Sequence, residues 1–148
     1  MVRNAIYLLD TNIVSEGAKI NPNPKIAEKL DVFAPYCVVS TISWFEIQKG
    51  IKRLPDGKKK DFLKAYAQEQ IADIFDFLPY SKECADVQSD MYARLEAVGK
   101  TAPYQDSQIA ATVLANKLIL VTRNVKDFEG IASVFPLKIE MIWIDKTK

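Results

Sequence analysis

The chain has 148 residues, of which 49% are hydrophobic, and its 20 basic residues almost balance 19 acidic ones. This length suits one domain with a single core, and the near-neutral charge excludes a strongly basic nucleic-acid coat and an acidic tail protein. The chain contains no histidine, which excludes serine and cysteine triads and nearly all catalytic zinc sites. Carboxylates, lysine, tyrosine and hydroxyls remain for chemistry, and carboxylate oxygens suit magnesium or manganese.

Apolar runs alternate along the chain with segments whose apolar residues recur at helical spacing. Capping residues such as Asp10 and Ser81 support the predicted helix starts. The pattern predicts a mostly parallel sheet with helices on both faces, and no linker divides residues 1–148 into two domains. In chain order we predict a strand at 5–9, a helix at 25–33, a strand at 37–39, helices at 41–54 and 58–77, a strand at 78–80, helices at 81–98 and 103–116, and strands at 118–121 and 141–144.

Cys37 lies in an apolar, strand-like stretch and Cys84 in a helix-like stretch, which favours reduced, buried thiols and leaves a disulfide unsupported. The first apolar run is too short for a targeting signal because it ends at Asp10. The longest later run, residues 109–121, is interrupted by Asn116 and Lys117 and is too short to span a bilayer. We therefore expect a cytoplasmic protein without membrane association.

The helices predicted at 41–54 and 58–77 carry more apolar residues than one core-facing stripe needs. This surplus is compatible with core packing and with a surface for a partner. The same helices carry clustered positive charge, which is either a solvated helix face or a surface that binds a nucleic-acid backbone. The basic residues are Lys49, Lys52 and Arg53, and the run at 58–60.

Acidic residues follow the predicted strands at the edge where parallel sheets form their sites. Asp10 directly follows the first strand, Glu46 lies early in the helix after the second, and Asp106 lies near the start of the helix before the fourth. Asn124 and Asp127 follow that fourth strand. Converging carboxylates repel one another unless a cation is present, and Mg²⁺ or Mn²⁺ suits oxygen ligands. The placement therefore indicates a candidate metal site.

Each acid also has a simpler explanation when it is considered alone. Asp10 could cap the following helix, and Glu46 could form a capping box with Ser43. Asp106 could complement a helix dipole, and Asp127 could be an ordinary loop acid. Only the joint pattern favours a metal site.

Four segments carry these residues in order: LLDTNIVSE at residues 8–16, STISWFEIQKGI at 40–51, DSQIAA at 106–111, and LVTRN at 120–124 with Asp127 and Phe128 beyond it. Together they resemble the motifs of PIN-domain ribonucleases, in particular VapC-type toxins of type II toxin–antitoxin systems. The resemblance covers essentially the whole chain and implies a single PIN-like domain over residues 1–148, a three-layer α/β/α sandwich around a mostly parallel sheet.

The resemblance implies an endoribonuclease that uses Mg²⁺, with Mn²⁺ as an alternative. Many relatives carry an aspartate where this chain has Asn124. Either Asp127 supplies the missing carboxylate, which we favour, or a second metal is weakly held. Arg123 lies beside the site, and a phosphate contact and a surface ion pair are both open for it. The resemblance assigns Asp10, Glu46 and Asp106 as catalytic metal ligands, with Thr11, Asn12, Thr122 and Asn124 as supporting polar residues.

The chemistry expected of such a site is in-line displacement at an RNA phosphodiester by a metal-activated water, which leaves a 5′-phosphate and a 3′-hydroxyl. The resemblance also implies a cognate antitoxin that blocks the acidic site and docks on the helices between residues 41 and 77, and a homodimer.

Three other classes remain as alternatives. Phosphatases of the haloacid dehalogenase type also begin with a strand followed by aspartate, but they need a second aspartate at the position of Asn12. A receiver-like domain would need paired acids and a later lysine, and neither pattern is clear. The other alternative is a PIN-like RNA- or protein-binding module whose incomplete fourth acid has weakened catalysis.

Overall fold

Five short parallel strands form a single sheet at the centre of the computed structural model, which describes residues 4–140. The strands are β1 (Tyr7–Leu9), β2 (Cys37–Ser40), β3 (Asp76–Leu78), β4 (Ile119–Val121) and β5 (Ile139–Glu140), in the spatial order β3-β2-β1-β4-β5. The helices are α1 (Thr11–Val14), α2 (Pro24–Phe33), α3 (Thr41–Lys52), α4 (Lys58–Tyr66), α5 (Lys82–Ala97), α6 (Tyr104–Ala115) and α7 (Val125–Ala132).

The central strand β1 separates two hydrophobic clusters, because successive side chains of a strand point to opposite faces of the sheet. Leu8 faces a cluster that contains Met91 of α5, Ile109 of α6 and Phe128 of α7. Leu9 faces the other cluster, which includes α1 and α2. Helices therefore cover both faces, and the predicted α/β/α sandwich is confirmed.

The carboxyl ends of three neighbouring strands meet at one edge of this sheet. Leu9, at the end of β1, pairs with Val39 of β2 and with Val121 of β4. The residues that follow these strands are consequently brought together, although they are far apart in the chain. Asp10 and Thr122 are two of them, which places the first and last sequence segments side by side.

The prediction of one long helix over residues 58–77 and a strand over 78–80 is wrong. α4 ends at Tyr66 and continues as a π-helical turn over Ala67–Ala72, and the strand that follows is Asp76–Leu78. Phe77 pairs with Val39 of β2 and packs edge-on against Trp44, with 5.1 Å between ring centroids. Apolar residues at this boundary serve the helix, the turn and the strand in succession, so their spacing alone resembles one continuous helix. The strand predicted at 141–144 lies outside the described residues.

The predicted state of the cysteines is confirmed. Cys37 and Cys84 are both buried and form no disulfide. Burial raises the pKa of the Cys37 thiol to about 12, so this thiol stays protonated at neutral pH. Among residues 4–140, no helix combines the length and the apolar character needed to cross a bilayer.

Gly17 is needed where α4 approaches the segment after α1. The Tyr66 hydroxyl donates a hydrogen bond to the Val14 carbonyl oxygen at 2.8 Å, and a Cβ on Gly17 would lie 2.7 Å from that hydroxyl oxygen.

We expect Gly17→Ala to displace Tyr66 and to lower the free energy of unfolding by about 1–2 kcal/mol, measured by urea denaturation. Gly50→Ala is the matched control. It meets no described atom within 4 Å, and helix propensity should raise stability there by about 0.5–1 kcal/mol. Equal effects of the two substitutions would contradict this account.

Candidate metal and catalytic site

Asp10 is held in place from two directions at the end of β1. It is the N-cap of α1, and its Oδ1 accepts a hydrogen bond from the Thr11 backbone N–H at 2.8 Å. Its Oδ2 accepts a hydrogen bond from the Thr122 hydroxyl at 2.7 Å. The carboxylate is only 6% exposed. The capping role considered as an alternative for Asp10 is therefore real, and it fixes the carboxylate at the site edge.

Three of the predicted supporting residues are joined to Asp10 in one hydrogen-bonded group. The Asn12 side-chain amide donates to Asp10 Oδ2 and to the Thr122 hydroxyl oxygen, both at 3.3 Å. The Asn12 carbonyl oxygen accepts from the Arg123 backbone N–H at 3.1 Å. Asn124 joins through its backbone N–H, which donates to Thr122 Oγ1 at 3.1 Å. The group thus ties the segment after β1 to the segment after β4.

Glu46 reaches the same edge from the second turn of α3. The N-cap of that helix is Ser40, whose hydroxyl accepts from the Ser43 backbone N–H at 3.1 Å. The capping box considered between Ser43 and Glu46 is therefore not formed. Glu46 Oε1 instead accepts a hydrogen bond from the Thr11 hydroxyl at 3.2 Å. Thr11 thus links Glu46 to the turn that Asp10 caps.

Asp106 and Asp127 lie in the first turns of α6 and α7. The pKa of Asp106 is raised to about 6, first by burial and then by the charges of Asp10, Asp127 and Glu46. Burial also raises the pKa of Asp10, with a further contribution from the charge of Asp127, although hydrogen bonds from Thr122, Thr11 and Asn12 act in the opposite direction. The negative charges of Asp10, Asp127 and Glu46 therefore all act on Asp106.

The pKa of Glu46 is also raised, mainly by burial and then by the charge of Asp10, while the hydrogen bond from Thr11 and the charge of Lys49 partly compensate. Raised carboxylate pKa values show that the negative charges at this edge are not fully compensated by the protein. Oxygen donors without histidine fit a hard divalent cation in type. Within residues 4–140, however, no three acidic side chains stand close enough to coordinate one ion together.

A family model described as PIN domain matches residues 7–133. The chain belongs to the PIN-domain family. A ribonuclease VapC2 from Haemophilus influenzae is 30% identical, over 86% of this chain and 93% of its own. The crystal structure of FitAcB from Neisseria gonorrhoeae superposes with a TM-score of 0.82 at 27% identity, and the match covers 93% of this chain and 99% of that one. A toxin–antitoxin complex from Klebsiella pneumoniae matches with a TM-score of 0.63 at 25% identity, over 90% of this chain and 99% of that one. The resemblance inferred from the four segments is confirmed.

Arg123 of this PIN domain forms an ion pair with Glu16, which the sequence analysis did not single out. Glu16 is 3% exposed and also accepts hydrogen bonds from Lys19 Nζ at 2.9 Å and the Asn23 backbone N–H at 2.8 Å. Burial alone would raise the pKa of Glu16, but these hydrogen bonds and the nearby charges lower it overall. Of the two roles considered for Arg123, the ion pair is the one observed, with a buried partner, and the phosphate contact stays a prediction.

A buried polar network next to Asp106 was also missed. Gln88 of α5 accepts a hydrogen bond from the Tyr80 hydroxyl and donates to Ser107 Oγ at 3.0 Å. The Ser107 hydroxyl in turn donates to the Tyr104 carbonyl oxygen at 2.7 Å. The first turn of α6, which carries Asp106, is thereby fixed to α5. Helical spacing gave no signal for this network, because a buried glutamine looks like a surface residue in the sequence.

We expect Ser107→Ala to leave the Gln88 side-chain amide without its buried acceptor. The free energy of unfolding should fall by about 1–2 kcal/mol, the usual cost of an unsatisfied buried donor. Ser89→Ala is the matched control, because the Ser89 hydroxyl also bonds a carbonyl of its own helix but is exposed. Its effect should stay within about 0.5 kcal/mol. Urea denaturation of the two variants measures both free energies of unfolding. An equal loss in Ser89→Ala would show that the buried network does not contribute more to stability than an exposed hydrogen bond.

Proposed function

We propose that this PIN-domain protein is a divalent-metal-dependent endoribonuclease and the toxin of a toxin–antitoxin pair. The observation that carries the proposal is a half-buried carboxylate among other acids at one sheet edge: burial first, and then the charges of Asp10, Asp127 and Glu46, raise the pKa of Asp106 to about 6. The ribonuclease name of the VapC2 relative supports the reaction class. The match to the Klebsiella pneumoniae toxin–antitoxin complex supports the biological role.

Mg²⁺ is the cation that we propose, with Mn²⁺ as a substitute. Asp10, Glu46, Asp106 and Asp127 would hold it partly through its bound waters, because Mg²⁺ usually keeps several of them and no three of these side chains stand close enough to coordinate one ion directly. When bound, the cation supplies a nucleophilic water at neutral pH and offsets negative charge on the scissile phosphate. The protein's part is to hold the acceptor oxygens in place. Thr122 orients Asp10 and partly opposes the burial that raises the pKa of Asp10, since a hydrogen bond to a carboxylate favours its charged form. Attack by this water with the 3′-oxygen as the leaving group would give products with a 5′-phosphate and a 3′-hydroxyl.

Asp127 is the residue that we propose for the fourth carboxylate. Its charge raises the pKa of both Asp10 and Asp106, which requires that it lies near both. Asn124 contributes its backbone N–H to Thr122, and its neutral side chain adds no negative charge. The first turn of α7 thus supports a carboxylate three residues beyond the position at which many relatives carry an aspartate.

The proposed partners are an RNA substrate, a cognate antitoxin and a second copy of the chain, with residues 1–148 forming one domain. A groove of about 300 Å³ between α3 and α4 begins at Glu46 and continues along Ile47, Leu54 and Leu63. Its apolar lining and its opening beside an acid of the site support antitoxin docking there. Ile51 and Ile71 are buried nearby, so the apolar surplus of this region serves both the core and this groove.

The phosphatase alternative is not favoured, because Asn12 donates a hydrogen bond to Asp10 where a second acid would be needed. The nuclease proposal is tested by incubating purified protein, separated from any co-purifying partner, with total RNA in Mg²⁺ or in EDTA. We expect cleavage by the wild type in Mg²⁺ alone and none by Asp10→Asn. Asp90→Asn, which changes an exposed acid of α5, should cleave like the wild type. RNA left equally intact by all three proteins would overturn the nuclease proposal and favour a binding module.

A further inference from the structure

One solvent-facing side of α3 combines an aromatic ring with positive charges. Phe45 is 56% exposed, and Gln48, Lys49 and Lys52 follow it at the three- and four-residue spacing that places side chains on one helix face. With Arg53 these residues line a shallow groove of about 350 Å³. We call this set of five residues the aromatic-basic patch.

The patch is continuous with the candidate catalytic site. Phe45 directly precedes Glu46, and Lys49 Nζ lies 5.5 Å from the centroid of the Phe45 ring. Lys49 also lies three residues after Glu46, one turn further along α3, so the same lysine stands beside the ring and the acid. A ligand that occupied the patch would therefore extend directly toward the site carboxylates.

The charge of the patch selects an anionic occupant. Glu46 is the only acid within α3, whereas Lys49, Lys52 and Arg53 are all exposed. The whole chain has a net charge of only +1, so this local excess is distinctive. An exposed phenylalanine adds affinity for flat π systems, and unpaired nucleobases offer such faces next to phosphates. Bases inside a paired helix are already stacked and cannot use the ring.

We propose that the aromatic-basic patch binds an unpaired stretch of RNA, with one base stacked on Phe45 and backbone phosphates against Lys49, Lys52 and Arg53. This inference rests on the proposed nuclease function and specifies which residues hold the RNA beside the site. The strand leaves the patch at Glu46 and enters the site there.

The test measures binding in EDTA, so that no cleavage is required, by fluorescence anisotropy with a short mixed-sequence single-stranded RNA and the same sequence as a duplex. Phe45→Leu should weaken single-strand binding roughly tenfold without changing its salt dependence. Phe45→Trp should keep wild-type affinity. Lys49→Gln should lower the slope of log affinity against log salt by roughly 0.7, the contribution of one phosphate contact to a single strand.

Two matched controls come from other helices. Phe62 is 55% exposed on α4, and Lys25 is exposed on α2. Phe62→Leu and Lys25→Gln should bind single-stranded RNA like the wild type. Melting temperatures close to that of the wild type would confirm that each variant is folded.

Unchanged affinity of Phe45→Leu would overturn the inference, as would equal dependence of duplex binding on Phe45. Loss of a co-purifying protein from Phe45→Leu, with RNA binding intact, would overturn it in favour of a protein partner. The outcomes also separate this inference from the nuclease proposal. If the wild type cleaves RNA and Phe45 has no role in binding, only the proposal for the aromatic-basic patch is contradicted. If binding depends on Phe45 but no RNA is cleaved in Mg²⁺, the proposal for the patch is supported and the nuclease proposal is contradicted.

Discussion

Asp106→Asn should lose RNA cleavage by at least about 100-fold, because it removes a charge that the proposed Mg²⁺ needs and metal catalysis contributes several kcal/mol to such reactions. The measurement is the initial rate of RNA cleavage in Mg²⁺ under conditions where product forms linearly. Asp90→Asn provides the matched control for loss of an acidic residue. Cleavage that persists in Asp106→Asn at the rate of Asp90→Asn would remove Asp106 from the site.

The same substitution should make the metal-free protein more stable. The pKa of Asp106 is raised from 3.8 to about 6 in the folded protein, so the folded state holds this proton more tightly than the unfolded state does. The stabilisation of the fold that comes from protonating Asp106 is fully present below pH 3.8 and is lost as pH rises through about 6. At pH 7 the ionised Asp106 therefore destabilises the metal-free fold by about 1–2 kcal/mol once solvent screening is allowed for.

Urea denaturation in EDTA at two pH values tests this prediction. Asp106→Asn should exceed the wild type by about 1–2 kcal/mol near pH 7, and the difference should shrink toward zero near pH 4, where the wild-type carboxyl is protonated. Added Mg²⁺ should reduce or reverse the difference, since a cation that binds only the folded wild type stabilises it. A difference that does not change with pH would show that the charge of Asp106 is not the cause.

Much of this site could be predicted from the sequence, because parallel strands end at a common edge. Asp10 directly follows a buried strand, and Glu46 and Asp106 begin helices beside other strands, so their convergence needed only the alternation of strands and helices. The electrostatic coupling of Asp127 to Asp10 and Asp106 is consistent with the favoured fourth acid. These predictions depended on local sequence patterns, which can be recognised without knowing how the strands pair.

Other features could not be predicted, because they depend on which strands are neighbours. Arg123 and Glu16 are 107 residues apart in the chain, and they meet because β4 lies directly beside β1. The residues around Phe75 and Phe77 could extend a helix or enter a strand, and only pairing with β2 decides between them. Long-range pairing and the burial of polar groups leave no periodic signal in a single sequence.

Arg123→Gln should lower the free energy of unfolding by about 3 kcal/mol, because it removes the less exposed of the two positive partners of the buried Glu16 carboxylate. Lys19 remains 2.9 Å from Glu16 with a side chain that is 55% exposed, so it compensates only in part. Lys19→Gln is the matched control, and its cost should stay below about 1 kcal/mol because that lysine is largely in solvent. Urea denaturation at neutral pH compares the two, and equal losses would contradict the special role of Arg123.

A double-mutant cycle shows whether the loss of stability in Arg123→Gln comes from the unpaired charge of Glu16. Glu16→Gln combined with Arg123→Gln should recover part of the stability that Arg123→Gln loses, because a neutral amide tolerates burial better than an unpaired carboxylate. The pKa of Glu16 lies below its ordinary value, so its contribution is present above about pH 4.5 and is lost as pH falls through the lowered folded value. The defect of Arg123→Gln should therefore shrink in acid. RNA cleavage by the two folded variants tests the second role considered for Arg123. If Arg123→Gln cleaves more slowly, and the double variant regains stability but not cleavage, then Arg123 contacts the RNA phosphate in addition to pairing with Glu16.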